Sequence, residues 1–135
     1  MYLTGLALSR ALAPHARLLL GTAFLGALGW GLAGLTLLPR RDVGGALGAI
    51  LLGAFLLRAR APAVYAGVFL VVAALELYGT ALGTWTWAPT IPGTGVPNGN
   101  PPSGVASGYV WFDVVALALA PRLLWLCRMP RAMPG

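Results

Sequence analysis

The stretch that decides the fold is residues 62–83, PAVYAGVFLVVAALELYGTALG, which holds one ionisable acid, Glu76, in an otherwise apolar run. About 20 apolar residues in a helix cross the ~30 Å hydrocarbon core of a bilayer, and Pro62 suits the first turn of such a helix. Trp85 and Trp87 follow at once, as expected of amphipathic rings resting at headgroup level.

Working outward from this span, the same pattern recurs. Residues 18–38 form an apolar block between Arg17 and Pro39-Arg40-Arg41. Residues 43–57 lie between Asp42 and Arg58 and are short for a full crossing, so the alternative is a tilted or re-entrant helix. Residues 108–126 carry Tyr109 and Trp111 at one end and Trp125 at the other. The expected fold is therefore all-α: a single integral membrane domain of about four transmembrane helices, spanning 18–38, 43–57, 62–83 and 108–126. Residues 1–13 read as a short interfacial helix or the remnant of a longer parent chain. Residues 129–135 read as a disordered tail.

Composition agrees with a membrane protein. Of 135 residues, 59% are hydrophobic and 9% charged, against roughly 25% charged in a soluble domain. The net charge of +6 comes entirely from arginines, set against Asp42, Glu76 and Asp113. These arginines stand at the ends of apolar blocks and form no basic stripe, so no nucleic-acid partner is expected; the partner they imply is the lipid bilayer. Arg10, Arg17, Arg58, Arg60, Arg122, Arg128 and Arg131 fall on one side of the four-span topology and only Arg40 and Arg41 on the other. The positive-inside rule then places both termini in the cytoplasm of a multi-pass cell-membrane protein. One cysteine, Cys127, excludes an internal disulfide, and no Cys/His spacing suggests a metal site. No cofactor motif is present.

Small residues mark helix contacts. Ala23, Ala27 and Gly31 share a stripe, as do Gly45, Ala49 and Gly53 beside Gly44 and Gly48. Such stripes let backbones approach closely, in a compact bundle, a helix–helix oligomer or a larger membrane complex.

Chemistry has two places to reside. Residues 84–107 form a charge-free extracytoplasmic loop with Trp85, Trp87, five prolines and several glycines, and loops of that length are commonly functional or disordered. A structured loop folded over the bundle is the reading; a flexible connector is its alternative. The second place is the acid pair Glu76 and Asp113. On the span limits above, both lie at similar depth near the outer leaflet, and each must face the interior, a polar cavity or a partner. Three uses compete. The acids pair with Arg40 and Arg41 and with Tyr78, Tyr109 or loop amides as structural elements. They share a pocket under the loop, lined by Tyr78, Trp85, Trp87, Asn98, Asn100, Tyr109 and Trp111, and act as acid and base. Or they relay protons or a cation in a carrier. His15 lies on the opposite side and leaves Ser103 and Ser107 without an activating base.

The segment from Glu76, E-L-Y-G-T-A-L-G-T-W-T-W, followed by a loop with Gly95-Val96-Pro97, resembles the small membrane hydratases and cyclases of carotenoid biosynthesis. The resemblance covers about a sixth of the chain and lacks the paired-acid motif after the loop. It implies a lipid or isoprenoid ligand, proton addition to a polyene by Glu76 with Asp113 as a further acid, and Trp85 and Trp87 beside the cationic intermediate. The expected function is a structural or accessory membrane subunit, with the isoprenoid enzyme and the proton- or cation-coupled carrier as alternatives.

Overall fold

The computed structural model describes residues 1–128, and they are helical with no strand among them. The expected tail, with Arg131, lies outside the described residues. Helix α1 covers Tyr2–Ala11, α2 Ala16–Thr36, α3 Val43–Arg58, α4 Pro62–Ala81 and α5 Ser103–Arg128, with a 3₁₀ turn at Ala13–His15. Three helices are long and apolar enough to cross a membrane, those containing α2, α4 and α5; α3 is apolar but shorter. At 1.5 Å per residue α4 is about 30 Å long and α3 about 24 Å.

The lengths follow from the local sequence. Pro62 opens α4 at a position that needs no amide donor, and Gly83, with φ of 70°, closes it. Asp42 opens α3 by accepting a hydrogen bond from the Gly45 amide at 3.0 Å. Helix α5 begins at Ser103, directly after Pro101-Pro102, and not at Gly108. The intervening segment is therefore residues 82–102 where 84–107 was expected, and α5 gains more than a turn at that end.

The small-residue stripes face one another as expected. Ala23, Ala27 and Gly31 of α2 are buried, and so are Gly45, Ala49 and Gly53 of α3. Gly31 meets Ala46 and Ala49, Gly34 meets Asp42, and Gly53 meets Phe24, so α2 and α3 run antiparallel. Helices α3 and α5 run parallel: Gly45 meets Ser103 at one end, and the Phe55 and Trp111 rings pack with centroids 5.1 Å apart farther along. A Cβ on Gly48 would come within 2.8 Å of the Gly104 Cα, so these two backbones touch. Phe69, Val68, Val72 and Leu52 fill the core. Leu18, Leu25 and Leu32, at heptad spacing on α2, are at least 63% exposed, an apolar outer surface of the kind lipid tolerates and water does not.

Helix α1 is docked on α4. A Cβ on Gly67 would lie 2.6 Å from the Gly5 carbonyl oxygen, Gly5 and Ser9 are buried, and Arg10 is exposed. The expected short helix is present, held by direct backbone contact.

Candidate functional site

Two connections meet at one end of the bundle: the turn between α2 and α3, and segment 82–102. Together they form a cap. Its centre is Asp42, fully buried. Asp42 Oδ1 accepts from the amides of Gly45 and Gly99, both at 3.0 Å. Asp42 Oδ2 accepts from the Ser103 amide at 2.6 Å and the Ser103 hydroxyl at 2.7 Å. A single carboxylate thus caps α3, anchors the loop and holds the first residue of α5. The positive ends of both helix dipoles point at it, which favours a negative group there without any cation. Gly99 must be glycine, because a Cβ would come within 2.9 Å of the Asp42 carboxyl carbon.

Arg40 supports the same joint. Its Nη1 donates to the Trp87 carbonyl at 3.1 Å and its Nη2 to the Asn98 carbonyl at 3.0 Å. This corrects the expectation that Arg40 pairs with an acid: the guanidinium fork is occupied by two loop carbonyls. Arg41 is exposed, and no ion pair exists among the described residues.

Glu76, also buried, faces the cap from α4. Its Oε2 accepts from the indole N–H of Trp85 and from that of Trp87, both at 3.0 Å. Local sequence makes this possible. Gly79 lies one turn beyond Glu76 on the same face, and a Cβ there would collide with the Trp85 ring. The spacing Glu76-x-x-Gly79 therefore combines an acceptor with a flat bed for an indole. With Thr86 between them, both tryptophans return to one oxygen, so the rings expected at headgroup level turn their polar edges inward.

The loop's asparagines complete the cap. Asn100 Oδ1 accepts from the Trp87 amide at 3.0 Å, and Asn98 Nδ2 donates to the Ala88 carbonyl at 3.2 Å. The Ile91 amide donates to Val96, the Asn98 amide to Pro89, and the Gly44 amide to Pro97. Gly93 and Gly95 take positive φ at the tip. These bonds tie segment 82–102 to itself and to the start of α3. Between it and the first turns of α3 and α5 lies a cleft of about 320 Å³, lined by Trp87, Ile91, Pro92, Val105 and Gly44 among others. Its walls carry no ionisable side chain.

Asp113 is elsewhere. Because α5 starts at Ser103, Asp113 lies about 15 Å down that helix, past Trp111, whose ring packs on Phe55. Phe55 in turn packs on Tyr65, centroids 4.9 Å apart, and Tyr65 and the amino terminus are the ionisable groups within electrostatic reach of Asp113. From Tyr65 to Glu76 is about 16 Å along α4. The two acids do not share a depth, and no hydrogen bond links them. Asp113 Oδ2 is buried without a partner, as is Ser107 Oγ. Tyr78 is 67% exposed and makes no hydrogen bond with either acid, and Tyr109 and Trp111 lie on α5 away from the cap's hydrogen bonds. No group of three metal-ligating side chains occurs among the described residues.

Sequence reasoning passed over Asp42, which reads as a boundary charge after Arg40-Arg41. The available signal was Asp42 standing three residues before Gly45 at a helix start, the N-cap pattern. No protein-family profile, curated protein or solved structure matches the chain.

Proposed function

We propose that the chain is a structural or accessory subunit of a membrane assembly: a four-span bundle in the cell membrane, both termini cytoplasmic, presenting a prefolded cap on the outer side. The observation behind this reading is how the cap's carboxylates are used. Asp42 has four donors and Glu76 Oε2 has two. Five of these six bonds tie a connecting segment to a helix and the sixth, from Gly99 to Asp42, ties the two connections together, a use that stabilises a rigid surface and leaves no facing acid–base pair. The orientation rests on Arg17, Arg58 and Arg60 lying at the end away from the cap. The test is purification of the full chain in mild detergent from its native membrane, with quantification of proteins and lipids. A stoichiometric membrane partner, with bulk phospholipid only, is the expected result. Under this reading Glu76→Gln lowers stability or assembly and nothing else.

The cleft favours a second reading, a lipid or isoprenoid enzyme. An uncharged space of about 320 Å³ beside Trp87, Ile91 and Val105 suits a neutral apolar chain. Copurification of a polyene, together with loss of its turnover in folded Glu76→Gln protein, would establish this reading in place of the first.

A further inference from the structure

A groove runs along the outside of the α2–α3 pair. At the end away from the cap, Leu20, Gly21 and Phe24 of α2 and Leu56 and Leu57 of α3 enclose a cavity of about 250 Å³. Nearer the cap, Leu28, Leu32 and Leu35 face Ala46 and Ile50 across a second cavity of about 280 Å³. Gly21, Phe24, Leu28 and Leu35 recur at the spacing of one helix face, so the two cavities are stretches of one groove, with the Phe24 ring lying on Gly53 between them. Leu28, Leu32, Ile50 and Leu57 are exposed, so the groove opens outward, toward lipid. From Gly21 to Leu35 it is about 21 Å long, more than one leaflet of a ~30 Å hydrocarbon core, and one acyl chain fits along it.

Any lipid tail satisfies such walls, and only the mouth of the groove distinguishes one lipid from another. Arg17 lies on the same face of α2, about 6 Å before Gly21, and Arg58 ends α3 directly after Leu57. Both arginines are exposed. The turn at residues 13–18 adds an open cavity of about 510 Å³ with His15 and Arg17 in its wall, which is room for a headgroup. No carboxylate competes for the two guanidinium groups. Asp42 and Glu76 are held in the cap, and neither Arg17 nor Arg58 has an acidic partner among the described residues.

We infer that this groove is a site for an anionic glycerophospholipid of the surrounding bilayer, with one acyl chain along α2 and α3 and the phosphodiester between Arg17 and Arg58. Arginine offers a planar fork of donors that matches phosphate oxygens, and basic pockets between spanning helices take acidic headgroups. A zwitterionic lipid fills the same groove but brings its own ammonium toward two cations. The ligand is an ordinary bilayer lipid, and the groove is separate from the cap cleft, so the inference holds under either function of the preceding subsection.

The experiment uses the full chain in phosphatidylcholine vesicles with a trace of chain-spin-labelled lipid, and electron paramagnetic resonance reads the motionally restricted fraction. Labelled phosphatidylglycerol should be restricted in preference to labelled phosphatidylcholine by at least about tenfold, saturating at one site per chain. Arg17→Gln and Arg58→Gln should each lower that preference about fivefold. Arg122→Gln, which removes a charge from α5 instead, should leave it unchanged. Gly21→Leu keeps every charge and fills the lower cavity, and nothing lies within 4 Å of the position its Cβ would take, so the fold accommodates it. It should also lose the preference, since a tail no longer lies beneath the arginines. Glycerol phosphate, the headgroup without a tail, should displace no more lipid than sodium chloride does at the same ionic strength; greater displacement would make this a site for a soluble anion and overturn the lipid assignment. Equal restriction of the two labelled lipids, arginine variants that keep the preference, a loss in Arg122→Gln as large as in Arg17→Gln, or a Gly21→Leu protein that behaves as wild type would each overturn the inference.

Discussion

The two ends of this bundle are built on different physics. At the cap, helices meet backbone to backbone through glycine, and Asp42, Glu76 and Arg40 each bind donors or acceptors on another element. At the far end, beside the Gly5–Gly67 backbone contact of α1 with α4, the contacts are aromatic, from Phe55 to Tyr65 and to Trp111, and the one acid nearby has an oxygen with no donor. Polar residues in a membrane bundle are costly unless satisfied. Here they are concentrated where they fix the loop.

The largest way to break the contrast is Asp42→Ala. It strands the amides of Gly45, Gly99 and Ser103 in a fully buried place, and hydrogen bonds to charged groups contribute about 1.5–3 kcal/mol each, so a loss of at least about 4.5 kcal/mol is expected. Thermal unfolding in detergent, followed by circular dichroism, measures it. Glu76→Ala removes two indole bonds and should cost about 3 kcal/mol. A double-mutant cycle with Trp87→Phe should show coupling of about 1 kcal/mol, whereas additive losses would mean the indole bond is not formed. Gly48→Ala forces α3 away from Gly104 and should cost about 1–3 kcal/mol, read from the same unfolding curves. The smallest effect is expected of Asp113→Asn. With no donor to lose, it should change stability by less than about 0.5 kcal/mol. A drop as large as that of Glu76→Ala would abolish the distinction between the ends.

What the sequence disclosed and what it hid divide along the same line. Apolar blocks report helices because hydrocarbon demands them over a fixed length, so the blocks at 18–38, 43–57 and 62–83 correspond to α2, α3 and α4 within a few residues. The glycine and alanine stripes were legible because helical periodicity is local. The start of α5 was not: residues 103–107, SGVAS, are small and weakly polar and read as loop, although Pro101-Pro102 before Ser103 is a helix-start pattern. That displacement of more than a turn set Asp113 at the wrong depth and beside the wrong acid. Pairings across long stretches of chain, such as Asp42 with Ser103 or Arg40 with Asn98, leave no periodic trace. The inward turn of Trp85 and Trp87 did have a local cue, the glycine one turn beyond Glu76.

The joint at Asp42 also orders events during synthesis. Its donors lie 57 and 61 positions farther along, at Gly99 and Ser103. While only α1 to α4 have been made, that carboxylate has one donor, the Gly45 amide of its own helix, and its other bonds are left to water. Residues 99–103 supply its remaining three bonds, so the joint closes only once the start of α5 has arrived.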